Sequence, residues 1–268
     1  MKKALFGSML LVFSLCFYTL NGCTLLSAAG LNDKGLPTAK VGEDLTSSTA
    51  NSQVNLDHST WTALLKKHVS KDGLVDYKGF KKDEVKLKEY LEMLSENKPS
   101  KTWSVQEQLA YYINIYNAYT VKLIIENYPI KSIKDINGAW TKDIVDIGDV
   151  KMSLGGIENS ILRKMNDPRI HFAINCASYS CPKLLNEAYT AAKINEQLET
   201  ATKEFINSDK NIILENSVKL SSIFDWYKKD FKEGGSVIDY INHYSNVKIK
   251  ASAKITYKEY DWSLNEPK

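Results

Sequence analysis

The pattern of apolar and polar positions divides the chain into three stretches. After Lys2 and Lys3, an apolar run from Ala4 to Leu20 carries no charged side chain. From Thr24 to about Leu56 the pattern lapses into small and polar residues, with no apolar period and no aromatic residue. Such a stretch buries too little to offset its ordering entropy, so residues 23–56 are predicted to be a flexible tether. From about residue 57 periodic segments follow one another to the end. Helical and strand-like periods are interspersed without a regular βαβ rhythm. The expected fold is a single mixed α+β domain over 57–268, with a central capped helix packed on a small, mostly antiparallel sheet.

Within that domain, a helix is expected from Ser59 to His68, a short strand at 74–77 and an amphipathic helix from about Lys81 to Glu96. The next helix is the best defined. Ser104 and Glu107 stand as a capping box, and Pro129 closes it. On a helical wheel Ala110, Ile113, Val121, Ile124 and Ile125 share one side with Asn114 and Asn117, while Gln108, Lys122 and Glu126 lie opposite. A hairpin around Gly148-Asp149, a short helix near Gly156, an apolar strand at 169–176 and a helix at 193–207 follow. A second hairpin turns at Asn216-Ser217. Two further helical stretches, at 223–231 and 237–244, precede an extended segment at 247–257.

The basic start and apolar run are the two regions of a secretory signal. Leu20-Asn21-Gly22-Cys23 then matches a lipobox: aliphatic, variable, small, cysteine. Residues 1–22 are expected to be cleaved and Cys23 to carry lipid; the rival is an uncleaved anchor, for which 4–20 is barely long enough. The membrane is thus the first expected partner, and the cell envelope the expected location. Thr24 after the cysteine does not resemble the inner-membrane retention signal, which favours the outer membrane in a host that has one, facing the periplasm or the cell surface. Losing Lys2 and Lys3 takes the net charge from +3 to about +1. That near-neutral balance argues against nucleic acid as a partner.

The densest chemistry lies in Arg169-Ile170-His171-Phe172-Ala173-Ile174-Asn175-Cys176-Ala177-Ser178-Tyr179-Ser180-Cys181-Pro182. A histidine near a cysteine points to a thiol nucleophile whose proton the imidazole takes. In a straight strand, however, His171 and Asn175 share one face and Cys176 the other, so contact needs a turn at Asn175. The rival reading is a Cys176–Cys181 disulfide, favoured by an oxidising compartment. The spacing of His171, Cys176 and Cys181 fits no metal site, and no cofactor is indicated.

Asn114 and Asn117 on a buried stripe need partners. Either they bond to a neighbouring backbone, or they meet the His171 strand and orient its imidazole or a substrate carbonyl. The only two arginines, Arg163 and Arg169, both fall in the eight residues before His171. Arginine brings a planar bidentate fork, and Glu158 is a candidate partner for Arg163. Glu158, Arg163 and Asn175 are the candidate binding residues; His171, Cys176, Asn114 and Asn117 are the candidate catalytic ones. His58, His68 and His243 read as surface or capping residues, and Trp61, Trp226 and Trp262 as core.

These segments together resemble the domain of unknown function 547 family. The resemblance is carried by 110–118, by Gly156-Ile157-Glu158 with Leu162-Arg163, and by Arg169 through Pro182. Ile223-Phe224-Asp225-Trp226-Tyr227 with Asp230-Phe231, and Tyr260-Asp261-Trp262-Ser263-Leu264-Asn265, complete it. It covers about 60–265 and implies a bacterial envelope or secreted protein with no assigned activity. The order of elements is also similar to the papain and transglutaminase group, but the helix that carries the nucleophilic cysteine there carries Asn114 and Asn117 here.

The expectation is therefore a membrane-tethered envelope lipoprotein with a polar His/Asn/Cys cleft. That cleft recognises or processes a peptide or acyl group, by thiol chemistry if it is a cysteine-dependent hydrolase or acyl transferase. The alternative is a non-enzymatic module that binds a peptide or envelope protein, with Cys176 and Cys181 as a structural pair.

Overall fold

The structure, a computed structural model, describes residues 24–42, 45, 54–232 and 234–267. The candidate signal segment and Cys23 lie outside the described residues, and among the described ones no helix is long and apolar enough to cross a membrane.

The chain folds as a single α+β domain around one long helix. Its helices are α1 (Ser59–His68), α2 (Tyr77–Lys82), α3 (Glu84–Glu96) and α4 (Val105–Asn127). A hairpin of β1 (Val145–Ile147) and β2 (Val150–Met152) precedes α5 (Leu154–Gly156), and α6 (Ile194–Ile206) follows later. The last part holds β3 (Ile212–Ile213), β4 (Ser217–Leu220), α7 (Ile223–Trp226), α8 (Val237–Tyr244) and β5 (Lys254–Tyr257). In the three-stranded sheet β4 is central, antiparallel to β3 and parallel to β5. Helices α1 and α3 bury the i, i+3, i+4 positions that the periodicity marks, Trp61, Leu64 and Leu65 on one and Leu87, Tyr90, Leu91 and Leu94 on the other.

Helix α4 is enclosed on nearly all sides. Ser104 caps it by accepting the Glu107 N–H at 3.2 Å. Helices α2 and α3 pack against it, and the N-terminal segment meets it where the Tyr112 hydroxyl donates to the Pro37 carbonyl at 3.0 Å. Gln108, expected on a polar face, is buried: its amide donates to the Trp103 carbonyl and accepts the Ala39 N–H.

That contact belongs to a correction. Over residues 24–42 the chain is docked on the domain and is not a free tether. Residues 24–28 form a helical turn, Leu36 is buried, and Val41 N–H bonds to the Met165 carbonyl. Ser160 Oγ donates to the Ser27 carbonyl at 2.7 Å and Asn159 Nδ2 to that of Ala28 at 2.9 Å. Gly155 and Gly156 make this close approach feasible; a Cβ on Gly156 would lie 2.6 Å from Ser27 Oγ. Small residues at 27–30 pack here because their bulk is low, a property that composition alone reads as flexibility.

The strand expected at 169–176 is also corrected. Pro168–Phe172 is a 3-10 helix, started by Pro168 and capped by Asp167, whose carboxylate accepts the Arg169 N–H. Ile170, Ala173 and Ile174 join the main core, while Phe172 points into a second cluster with Phe205, Phe224, Phe231 and Ile241. A short, wholly buried apolar run is compatible with either state, and only its packing decides. Likewise residues 74–77 contribute a single bridge, Val69 to Val75, before α2 begins.

Candidate functional site

The segment carrying His171 runs along the seam between the two hydrophobic clusters. Helix α5 leads there into a π-turn, Ile157–Ile161, and a 3-10 turn, Leu162–Met165. Such π-turns shift the register of side chains and recur at functional sites. Here the composite helix presents Glu158 and Arg163 toward Tyr227.

Two linked polar groups result. Glu158 is 6% exposed and accepts the Tyr116 hydroxyl at 3.2 Å and the Tyr227 hydroxyl on its other oxygen. Burial, then the nearby Glu158 carboxylate, raises both phenols well above the usual tyrosine range, so both stay protonated donors. Arg163 grips Asp230 with Nε and Nη2 at 2.7 and 2.8 Å, and Nη1 reaches Asn159 at 2.9 Å. His171 Nε2 lies 2.8 Å from Asp230 Oδ2, and its ring stacks on Tyr227 with centroids 4.0 Å apart. Burial opposes ionisation of Asp230, but hydrogen bonds from Arg163 and His171 outweigh it and hold the carboxyl far below its ordinary value.

Glu158 and His171 line a cavity of about 400 Å³ together with Cys176 and Cys181. Its other walls are mostly aromatic: Tyr116, Trp140, Trp226, Tyr227, Tyr260 and Trp262. Trp226, expected in the core, is half exposed at the rim. A larger cavity of about 610 Å³ shares Cys181 and Pro182 as a common wall but touches neither Glu158 nor His171. Among the described residues no three His, Cys, Asp or Glu side chains come together as a metal site needs.

Cys176 and Cys181 are joined by a disulfide. The Tyr260 hydroxyl lies 3.3 Å from Cys176 Sγ and 3.2 Å from Cys181 Sγ, and Ser178 is also close. The imidazole of His171 faces Asp230, so the expected Cys176–His171 pairing is not what the fold assembles. A disulfide sulfur is no nucleophile, and imidazole has no thiol proton to take.

The asparagines act on backbone. Asn114 Nδ2 donates to the Tyr189 carbonyl at 2.7 Å, and Asn114 Oδ1 accepts the Tyr189 N–H at 3.0 Å. Asn117 Nδ2 donates to the Ala173 carbonyl at 3.0 Å and its Oδ1 accepts the Asn175 N–H at 2.8 Å. Asn175 in turn donates to the Pro182 carbonyl and accepts the Ala177 N–H, tying off a loop in which Ala177 takes a positive φ of 60°. None of the three asparagines lines the cavity. In place of the expected contact with the His171 imidazole or a substrate, Asn117 and Asn175 scaffold the 173–182 loop and Asn114 fixes the backbone at Tyr189.

Several site residues escaped the sequence reading: Asp230, Tyr116, Tyr227, Tyr260 and Trp140. Asp230 stands 59 positions from His171, beyond any local period. For Asp230, Tyr116, Tyr227 and Tyr260 the available signal was their place in the segments that carry the family resemblance; Trp140 lies outside those segments and had none. His58 and His68, read as surface or capping residues, are both buried: His58 stands at the N-cap of α1 with Nδ1 2.8 Å from the Tyr90 hydroxyl, and His68 Nε2 lies 2.6 Å from Asp83 Oδ2.

No curated protein and no solved structure matches this chain. Residues 100–206, which hold α4, Glu158, Arg163, His171 and both cysteines of the disulfide, match the family described as protein of unknown function, DUF547.

Proposed function

We propose that this chain is a lipid-anchored envelope protein that recognises a ligand, a peptide being the class expected, in the aromatic cavity around Glu158, with Cys176–Cys181 as a structural pair. The observation that carries the reading is the bond between the two cysteines at the wall of that cavity. It removes the thiol from the cleft and leaves a preformed, largely apolar hollow with a few convergent polar groups, the usual form of a binding site. The lipobox at Leu20–Cys23 supports the anchor. So do Leu25, Leu26 and Leu31, which are 60%, 47% and 73% exposed directly after the candidate lipidation site, where a bilayer surface would cover them.

A second reading draws on one observation: His171 lines the same cavity with Asp230 on its Nε2, an arrangement able to orient an imidazole for proton transfer without a thiol. Two measurements test the main reading. Alkylation of the unreduced full chain, before and after unfolding, should modify neither Cys176 nor Cys181. Calorimetric titration with a panel of acidic, neutral and basic tripeptides should show saturable binding to at least one, lost in Trp226→Ala. Reaction of Cys176 in the folded protein would restore the thiol mechanism, and a panel without binding would remove the recognition reading.

A further inference from the structure

Two carboxylates and one guanidinium surround Tyr227. The guanidinium is directed elsewhere: Arg163 forks onto Asp230 through two nitrogens and reaches Asn159 with the third. His171 also faces Asp230. Glu158, nine-tenths buried, receives only neutral tyrosine hydroxyls, and among the described residues no lysine or arginine lies within ion-pair distance of it. Arg163, over the Tyr227 ring, acts on Glu158 only from beyond ion-pair distance, and a buried carboxylate hydrogen-bonded by neutral groups alone is costly. Each of its oxygens accepts one hydroxyl and retains capacity for further donors.

The surroundings are complementary to a cation. Among the described residues no lysine or arginine lines the cavity, whereas five indole and phenol rings do besides Tyr116. Aromatic faces attract ammonium groups, tryptophan most strongly. Trp262 already holds one such contact within the fold, with Lys134 Nζ 5.3 Å from its ring centroid. We infer that the cavity takes a primary alkylammonium group, its nitrogen on Glu158 and its carbon stem between Trp226, Tyr260 and Trp262. This rests on the recognition reading above. The ammonium has two sources, a free ligand such as a lysine side chain or an ethanolamine lipid headgroup. Ala28, five residues from the candidate lipidation site, lines the same cavity and brings it near the membrane surface.

The test is calorimetric titration of the full chain with N-acetyl-lysine methylamide and with its uncharged norleucine counterpart. The lysine probe should bind about tenfold tighter, as expected for one added ion pair and cation–π contact. Glu158→Gln should erase that difference by weakening binding of the lysine probe. Chains anchored in phosphatidylethanolamine vesicles should bind the lysine probe more weakly than those in phosphatidylcholine vesicles, equally uncharged overall but without a primary ammonium, if the headgroup is the source. Equal affinity on the two vesicles would assign a free ligand; both results keep the ammonium. Equal affinity of wild type for the two probes would overturn the inference and leave the recognition reading standing. Binding of neither probe, in solution or on either vesicle, would overturn the inference, and the tripeptide panel would then decide the wider reading. If Glu158→Gln fails to fold, the two-probe comparison on wild type still decides.

Discussion

Asp230 sits between Arg163 and His171, with its Oδ2 2.7 Å from the guanidinium Nε and 2.8 Å from the imidazole Nε2. One carboxylate thereby joins the composite helix after α5 to the His171 segment. Arg163→Met should leave this half-buried charge with the imidazole alone. Removing one partner of a fully buried pair costs about 3–5 kcal/mol and of an exposed pair under about 1. The expected loss here is about 1–3 kcal/mol, read from urea denaturation. Unchanged stability would mean that the pair contributes no more than a surface contact.

Asn117 holds Ala173 and Asn175 by one bond each. Asn117→Ala should strand a buried carbonyl and a buried N–H, at about 1–3 kcal/mol for each. The same change should raise hydrogen exchange through 173–182 before it does so in α1 or α3. Uniform loss of protection would show that the amide supports the whole core and not the loop in particular.

The disulfide closes a short loop. In the chain-entropy account a six-residue loop contributes about 2 kcal/mol. Cys176→Ser with Cys181→Ser should lose about that much, without unfolding the protein, while the Asn117 and Asn175 bonds still shape the loop. A wild type whose stability is insensitive to reductant would contradict this.

Two buried groups oppose one another across mildly acidic pH. Burial takes His58 from 6.5 down to about 4. The unfolded chain then binds a proton that the folded one refuses, so stability present above 6.5 is lost as pH falls toward 4. Burial takes Glu107 from 4.5 up to about 7. The folded chain keeps a proton that the unfolded one releases, so stability present below 4.5 is lost as pH rises toward 7. Over the shared window the two slopes oppose each other. Glu107→Gln should therefore make the protein more sensitive to acid than wild type, and His58→Gln less so. Denaturation midpoints followed across that window check the pair, and parallel profiles for all three proteins would refute it.

The structure separates what periodicity reveals from what it hides. Helix α4 was legible because its apolar spacing, its Ser104 cap and Pro129 are all local. The first hairpin was legible because Gly148, at a φ of +60°, is the residue type its turn needs. The burial of Asn114 and Asn117 followed from the same wheel. The docked 24–42 segment was not legible, since small residues that pack closely and small residues that never pack look alike in composition. Nor was the 3-10 helix at His171, since a short run buried on every side carries no period.

By itself the sequence determined an α+β domain, a capped central helix with two buried asparagines, and the neighbourhood of His171 and the cysteines as the place to look. Each of these follows from spacings of a few residues, over which backbone geometry dictates which side chains meet. Tertiary structure decided the partners. Glu158 meets Tyr116 from 42 positions away and Tyr227 from 69, and His171 meets Asp230 from 59. Whether the two cysteines can reach each other depends likewise on how Asn117 and Asn175 shape the loop that carries them. Such contacts are set by the joint packing of two hydrophobic clusters, whose free energy is a property of the whole chain and leaves no trace in any local window.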